Sequence, residues 1–141
     1  MKIAIIGVGN MGGAIAKGLA NIKSEAALNI CIANRTKDKL DKLKTECPQL
    51  QIASSFEEAV KDTDLVILAV KPWAIQETLS KLDFTPNQTV ASVAAGITFA
   101  QLSKWTKGTD RFYRIIPNTA ISYLASMNII ASQNTSTEDD Q

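Results

Sequence analysis

Lys2-Ile3-Ala4-Ile5-Ile6 runs directly into Gly7-Val8-Gly9-Asn10-Met11-Gly12, and a helix-like run, Met11–Ala20, follows at once. An apolar strand, a G-x-G-x-x-G turn and a helix in that order leave few folds open. Each glycine has its own task. Gly7 permits the tight turn out of the strand. Gly9 lets backbone approach a pyrophosphate with no side chain between them. Gly12 lets the helix lie close to the strand. The helix N-terminus then presents N–H groups and a partial positive charge to phosphate oxygens. Val8, Asn10 and Met11 complete the expected phosphate-binding loop.

The chain has 141 residues, enough for one domain with a real core. Fifteen Lys and Arg against fourteen Asp and Glu leave a net charge of +1, which argues against nucleic acid or a membrane surface as partner. The cluster Arg35, Lys37, Lys39, Lys42 and Lys44 is interrupted by Asp38, Asp41 and Glu46 and reads mostly as a solvated helix face. No apolar run approaches the roughly 18 residues of a spanning helix, and the opening run breaks at Gly7 with no processing site. Histidine is absent, so zinc catalysis and Ser-His-Asp chemistry are not expected. The two cysteines, Cys31 and Cys47, form no C-x-x-C pair and fit a reducing, cytoplasmic setting. Cys31 reads as a small core residue.

Strands are predicted at Lys2–Ile6, Leu28–Ala33, Gln51–Ala53, Leu65–Val70, Thr89–Val93 and Arg111–Ile116, with a weaker one at Asn128–Ala131. Between them lie helices over Met11–Ala20, Thr36–Thr45, Ser55–Val60, Trp73–Leu82 and Thr98–Trp105. Thr36 and Thr98 are expected caps, Ser55 with Glu58 a capping box, and Pro72 a first-turn proline. Ala14, Ala16 and Gly18 mark the helix face that must approach a sheet. Trp73 reads as core or interface packing. About six βα repeats argue an α/β fold of the Rossmann type, doubly wound, with a mainly parallel sheet. Residues 1–131 are expected to form that domain. Residues 132–141 are polar, and Thr137 with Asp140 reads as the first turn of a capped helix, the start of a helical dimerisation domain cut away.

In dinucleotide-binding domains an acid ending the second strand bonds the ribose 2′-hydroxyl. Here that place reads Asn34-Arg35-Thr36, with no acid beside it. Arg35 taken alone is an exposed turn residue. With the acid missing, its planar fork can pair a 2′-phosphate, and Thr36 can add a hydroxyl. NADP(H) is therefore favoured over NAD(H). Ligands in such folds lie beyond the carboxyl ends of the strands. Those ends carry Ala69-Val70-Lys71-Pro72, Ala94-Ala95-Gly96 and Pro117-Asn118-Thr119. Small residues there would admit a flat ring. Lys71 reads equally as a charge near the cofactor and as a surface residue. Asn118 and Thr119 offer polar groups to a substrate, or serve the turn after Pro117.

Taken together, Gly7–Ala16, Asn34-Arg35-Thr36, Leu68–Pro72, Ser92-Val93-Ala94-Ala95-Gly96-Ile97 and Pro117-Asn118-Thr119 resemble pyrroline-5-carboxylate reductase over residues 1–131. The resemblance implies reduction of the imine of 1-pyrroline-5-carboxylate to L-proline, the last step of proline biosynthesis, by hydride from NAD(P)H. It implies cofactor contacts at Gly7, Val8, Gly9, Asn10, Met11, Gly12, Asn34, Arg35, Thr36, Ala69, Val70, Lys71, Pro72, Ala95 and Gly96, and substrate-side candidates at Asn118 and Thr119. It also implies a C-terminal helical domain, absent here, that supplies most of the substrate pocket and the homo-oligomer interface. The fragment alone is expected to bind cofactor without good turnover. Two departures stand out: Ala120–Ser126 replaces a proline- and glycine-containing stretch, and Phe56 stands where many members carry Asn. The competing readings are a stand-alone NADP-binding or sensing module and another NADP-linked reductase sharing this domain.

Overall fold

The computed structural model describes residues 1–23, 27–125 and 128–133. Seven strands form one sheet: β1 (Lys2–Ile6), β2 (Asn29–Ala33), β3 (Gln51–Ile52), β4 (Leu65–Leu68), β5 (Thr89–Ser92), β6 (Phe112–Ile116) and β7 (Ile129–Ser132). Their spatial order is β3-β2-β1-β4-β5-β6-β7. The first six run parallel, and only β7 pairs antiparallel, on the edge beside β6. This is the expected Rossmann-type, mainly parallel architecture. Strand order reverses at β1, which lies between β2 and β4, so the ligand crevice belongs there.

Among the described residues five α-helices connect the strands: α1 (Asn10–Ala20), α2 (Lys37–Glu46), α3 (Phe56–Val60), α4 (Pro72–Ser80) and α5 (Phe99–Trp105). Parallel strands need such crossovers, and the crossovers bury both sheet faces. On one face Ile3, Ile5, Ile15, Ile30, Ile32, Leu40, Leu43 and Leu50 pack under α1 and α2. On the other, Ile6, Val66, Leu68, Ile75, Leu79, Val90, Leu102 and Phe112 pack under α3, α4 and α5. Alternation along β1 and β4 divides one apolar run between the two cores, which is why those strands read as continuously hydrophobic.

Several local expectations need correction. Thr36 is the N-cap of α2, but its side chain makes no capping hydrogen bond. Only half of the capping box forms at α3. Ser55 Oγ accepts from the Glu58 N–H at 3.1 Å, while the Glu58 carboxylate turns to Ser54, accepting from its N–H at 2.6 Å and from its hydroxyl. The complete box is at Thr98 and Gln101. Trp73 is not core, being 81% exposed. Cys31 is half-buried rather than buried, and Cys47 is the buried one. Gly18 faces not the sheet but a 3-10 turn, Thr119–Tyr123, where a Cβ would overlap the Ile121 carbonyl oxygen. Of the expected polar tail, only Ser132, which ends β7, and Gln133 are described. The capped turn expected at residues 137–140 lies outside the described residues.

The hydroxyl of Ser54, then its backbone N–H, holds the Glu58 carboxyl below its ordinary range. A depressed folded value contributes stability above the unfolded carboxylate value, lost as pH falls through the folded one. Glu58→Gln should therefore lower stability at pH 7 and flatten the acid limb of a denaturant-midpoint against pH curve. Parallel curves for the two proteins would remove this role.

Candidate functional site

Five strand ends meet along one edge. The chain leaves β1 through Gly7, whose φ of +93° lies in the region glycine favours. The Gly7 N–H donates to the Ala33 carbonyl at 2.8 Å, and the Ala69 N–H donates to the Ile6 carbonyl at 2.8 Å. The glycine turn is thus tied to the ends of both neighbouring strands. A Cβ on Gly7 would lie 2.9 Å from the Ala69 carbonyl oxygen and 2.9 Å from Val70 Cγ1. Ala69 and Val70 were expected inside the fourth strand. They leave it instead to wall the glycine turn, because β4 stops at Leu68.

The other two glycines differ in kind. A Cβ on Gly12 would overlap the Gly7 carbonyl oxygen and sit 3.0 Å from Ala69 Cβ, so this position sets how closely α1 approaches the turn. A Cβ on Gly9 would meet nothing within 4 Å. The open space lies at the N-cap of α1, where no side chain caps the helix and the first turn carries no acid. The first turn of such a helix leaves N–H groups without intrahelical acceptors, and its dipole favours an anion. Asn10 is exposed and Met11 half-buried at this end. A groove of about 680 Å³ opens from the same turn toward α2, passing Val8, Gly9, Asn10, Lys39, Lys42 and Tyr123. It lies on the α2 side, apart from the crevice between β1 and β4, and its lysines raise the positive potential beside the turn.

After β2 the structure separates the three expected residues. Asn34 Oδ1 accepts from the Val8 N–H at 3.1 Å, and its Nδ2 donates to the Thr36 carbonyl at 3.1 Å. Its amide therefore frames the loop. Arg35 and Thr36 are exposed. Arg35 Nη2 donates to Glu77 Oε2 at 3.2 Å, reaching from the turn after β2 to α4. Lys81 Nζ holds the other carboxylate oxygen at 2.8 Å. Lys81 first, and Arg35 second, keep the Glu77 carboxyl below its ordinary range. Sequence reading passed over Glu77, whose place opposite Arg35 comes from the β1-β4 pairing, not from any local spacing.

Lys71 is the exposed N-cap of α4 and makes no capping bond through its side chain; Pro72 is the first helical residue. Ser92, the last residue of β5, is buried, and its Oγ accepts from the Ala94 N–H at 3.3 Å. Ala95 and Gly96 are exposed there, with Gly96 at φ +75° and open space where its Cβ would be. Beyond β6, Asn118 Oδ1 accepts from the Ala120 N–H at 3.0 Å, capping the 3-10 turn that Thr119 begins. Turn chemistry thus accounts for that oxygen. Among the described residues no group of three or more metal-ligating side chains occurs. Nor is any described helix long and apolar enough to cross a membrane.

A parallel doubly wound sheet, a glycine turn at its reversal point and an open helix N-terminus define a dinucleotide-binding domain. The family model described as NADP oxidoreductase, coenzyme F420-dependent, matches residues 2–96. This chain belongs to that family. The pyrroline-5-carboxylate reductase of Arabidopsis thaliana is 32% identical over 142 residues, covering 99% of this chain and 50% of that protein. The crystal structure of 1-pyrroline-5-carboxylate reductase from Streptococcus pyogenes has a TM-score of 0.85 at 29% identity, covering 99% of this chain and 51% of that one. Plasmodium falciparum pyrroline carboxylate reductase with NADP bound shares the fold, with a TM-score of 0.82 at 22% identity over 99% of this chain and 51% of that one. The chain spans about half the length of the curated relatives it matches.

Proposed function

We propose that this chain is the cofactor-binding half of a reductase that converts 1-pyrroline-5-carboxylate to L-proline with NAD(P)H, favouring NADPH. The observation that carries this reading is the likeness to pyrroline-5-carboxylate reductases over 99% of the chain, well past residue 96 where the family model stops. The resemblance at Pro117-Asn118-Thr119 falls in that additional stretch. The family description favours a second reading, hydride exchange between NADP and coenzyme F420, because residues 2–96 alone suit either enzyme.

The residues present fit a nicotinamide dinucleotide. Space at Gly9 and an uncapped α1 N-terminus without a first-turn acid suit a pyrophosphate. The cofactor supplies the hydride when bound. The chain's own part is placement. Gly7, Val8, Gly9, Asn10, Met11 and Gly12 hold the diphosphate through backbone. Asn34 fixes the loop, and Arg35 with Thr36 takes the 2′-phosphate. Ala69, Val70, Lys71, Pro72, Ala95 and Gly96 give the ribose and nicotinamide a low-profile wall. A protonated imine is already a good hydride acceptor, so no strong protein acid is required, consistent with a chain that has no histidine. Asn118 and Thr119 stay the substrate-side positions, Asn118 acting chiefly through the turn it caps. The resemblance puts the rest of the substrate pocket, and a homo-oligomer interface, in the part of the relatives that this chain does not span. The substrate it implies is a small molecule, and two free cysteines fit a reducing, cytoplasmic setting.

Steady-state assays of the protein carrying this domain should show oxidation of NADPH that depends on the cyclic imine. Exchange of hydride between NADPH and F420, with the imine inert, would establish the second reading instead. Arg35→Ala should weaken NADPH by about 1.5–3 kcal/mol, the scale of a hydrogen bond to a charged group, and leave NADH nearly unchanged in calorimetric titrations. Equal losses for both would assign Arg35 a structural role.

A further inference from the structure

Arg35 carries an acidic partner from another element, Glu77 on α4, and we infer that Glu77 sets how strongly this site distinguishes a 2′-phosphate from a 2′-hydroxyl. This rests on the nucleotide site proposed above. Arg35 and Glu77 stand 42 residues apart in the chain, on the turn after β2 and on α4 after β4. Strand β1 lies between β2 and β4, so their 3.2 Å contact spans the flank of the crevice where the adenosine ribose would lie. Both side chains are more than half exposed, at 62% and 56%, so a solute can reach either partner.

A 2′-phosphate approaching this corner meets a guanidinium that already has an anionic partner. The two anions present similar oxygen pairs to the same planar fork, and they repel each other at this range. Binding therefore exchanges one partner for another. Arg35 passes from the Glu77 carboxylate to the phosphate, and Glu77 stays on Lys81, which holds its second oxygen at 2.8 Å. A nucleotide with a free 2′-hydroxyl has no such contest for Arg35. Glu77 thus lowers the preference for NADPH that Arg35 creates, without removing it. Lys81 makes this exchange possible, because the released carboxylate keeps a cation and does not follow Arg35.

The test is calorimetric titration of the full chain with NADPH and NADH, for the unaltered protein, Glu77→Gln, Arg35→Ala and the double variant. Glu77→Gln keeps the shape and removes the charge. It should raise the ratio of NADH to NADPH dissociation constants about three- to fivefold, the range of an exposed charge pair, almost wholly through NADPH. The gain should shrink in high salt and vanish in the Arg35→Ala background. An unchanged or lowered ratio in Glu77→Gln, with the preference still lost in Arg35→Ala, overturns the role of Glu77 alone. No preference in the unaltered protein, and none lost in Arg35→Ala, overturns the 2′-phosphate role of Arg35 beneath it, and no binding of either nucleotide overturns the nucleotide reading itself.

Discussion

Gly9→Val should fold as the unaltered chain does and bind neither NADPH nor NADH. Geometry separates the two effects at this position. With φ −67° and ψ −155°, Gly9 has an extended backbone open to valine. No atom lies within 4 Å of the Cβ site, so the free protein has room for a side chain to begin there. The added methyl groups project into the space proposed for the diphosphate, at the mouth of α1. A loss of at least about a hundredfold is expected for both nucleotides, or about 2.7 kcal/mol, with far-UV circular dichroism and thermal midpoint close to those of the parent. Retained affinity would mean that the phosphates lie elsewhere. A collapsed thermal midpoint would mean that Gly9 is structural after all.

The opposite outcome is expected at Gly108, where alanine should unfold much of the protein's margin without touching the crevice. Gly108 sits at φ +95°, and a Cβ there would overlap the Phe84 carbonyl oxygen. The neighbouring backbone cannot retreat easily. The Phe84 N–H donates to the Lys107 carbonyl at 3.0 Å, and Asp83 bridges Lys107 in parallel. Phe84 itself is buried beside Leu82, Leu102 and Phe112. A strained dihedral costs about 1–3 kcal/mol, and forced overpacking about 1–3 more. A loss of about 3–5 kcal/mol is expected against a typical total of about 5–15, or a fall of about 10–20 °C in thermal midpoint. A shift under about 3 °C would show that the segment gives way.

The contrast between these glycines also shows what the sequence discloses. The Rossmann architecture, the glycine turn and most strand positions were legible because they are local. β1 and β4 are unbroken apolar runs, and G-x-G-x-x-G between a strand and a helix marks a dinucleotide-binding turn. Gly108 carried no such pattern; a lone glycine between Lys107 and Thr109 reads as an ordinary turn, and its importance comes from Phe84, far along the chain. Gln88 was equally opaque. It sits in a turn by sequence, yet it is buried, donating to the Val60 carbonyl at 2.7 Å and accepting from the Thr85 N–H at 2.8 Å. Trp73 read as core or interface packing, and its 81% exposure removes only the core half of that reading. The edges of the crevice were the least legible. Asn34 looked like a ligand-facing residue because it occupies the place of an acid, and its two internal bonds become visible only once Val8 is brought alongside it. Glu77 was invisible for the same reason in reverse.

Helix α1 meets a distinct neighbour near each end, besides its packing on the sheet, and the separation of the two has a mechanical meaning. Its first turn begins at Asn10, beside the open space at Gly9, and its bare backbone at Gly18 seats Ile121 of the 3-10 turn that Asn118 caps. Eight residues of helix make a stiff spacer of about 12 Å between them. One rod therefore gauges the distance from the space proposed for the phosphates to the loop after the sixth strand.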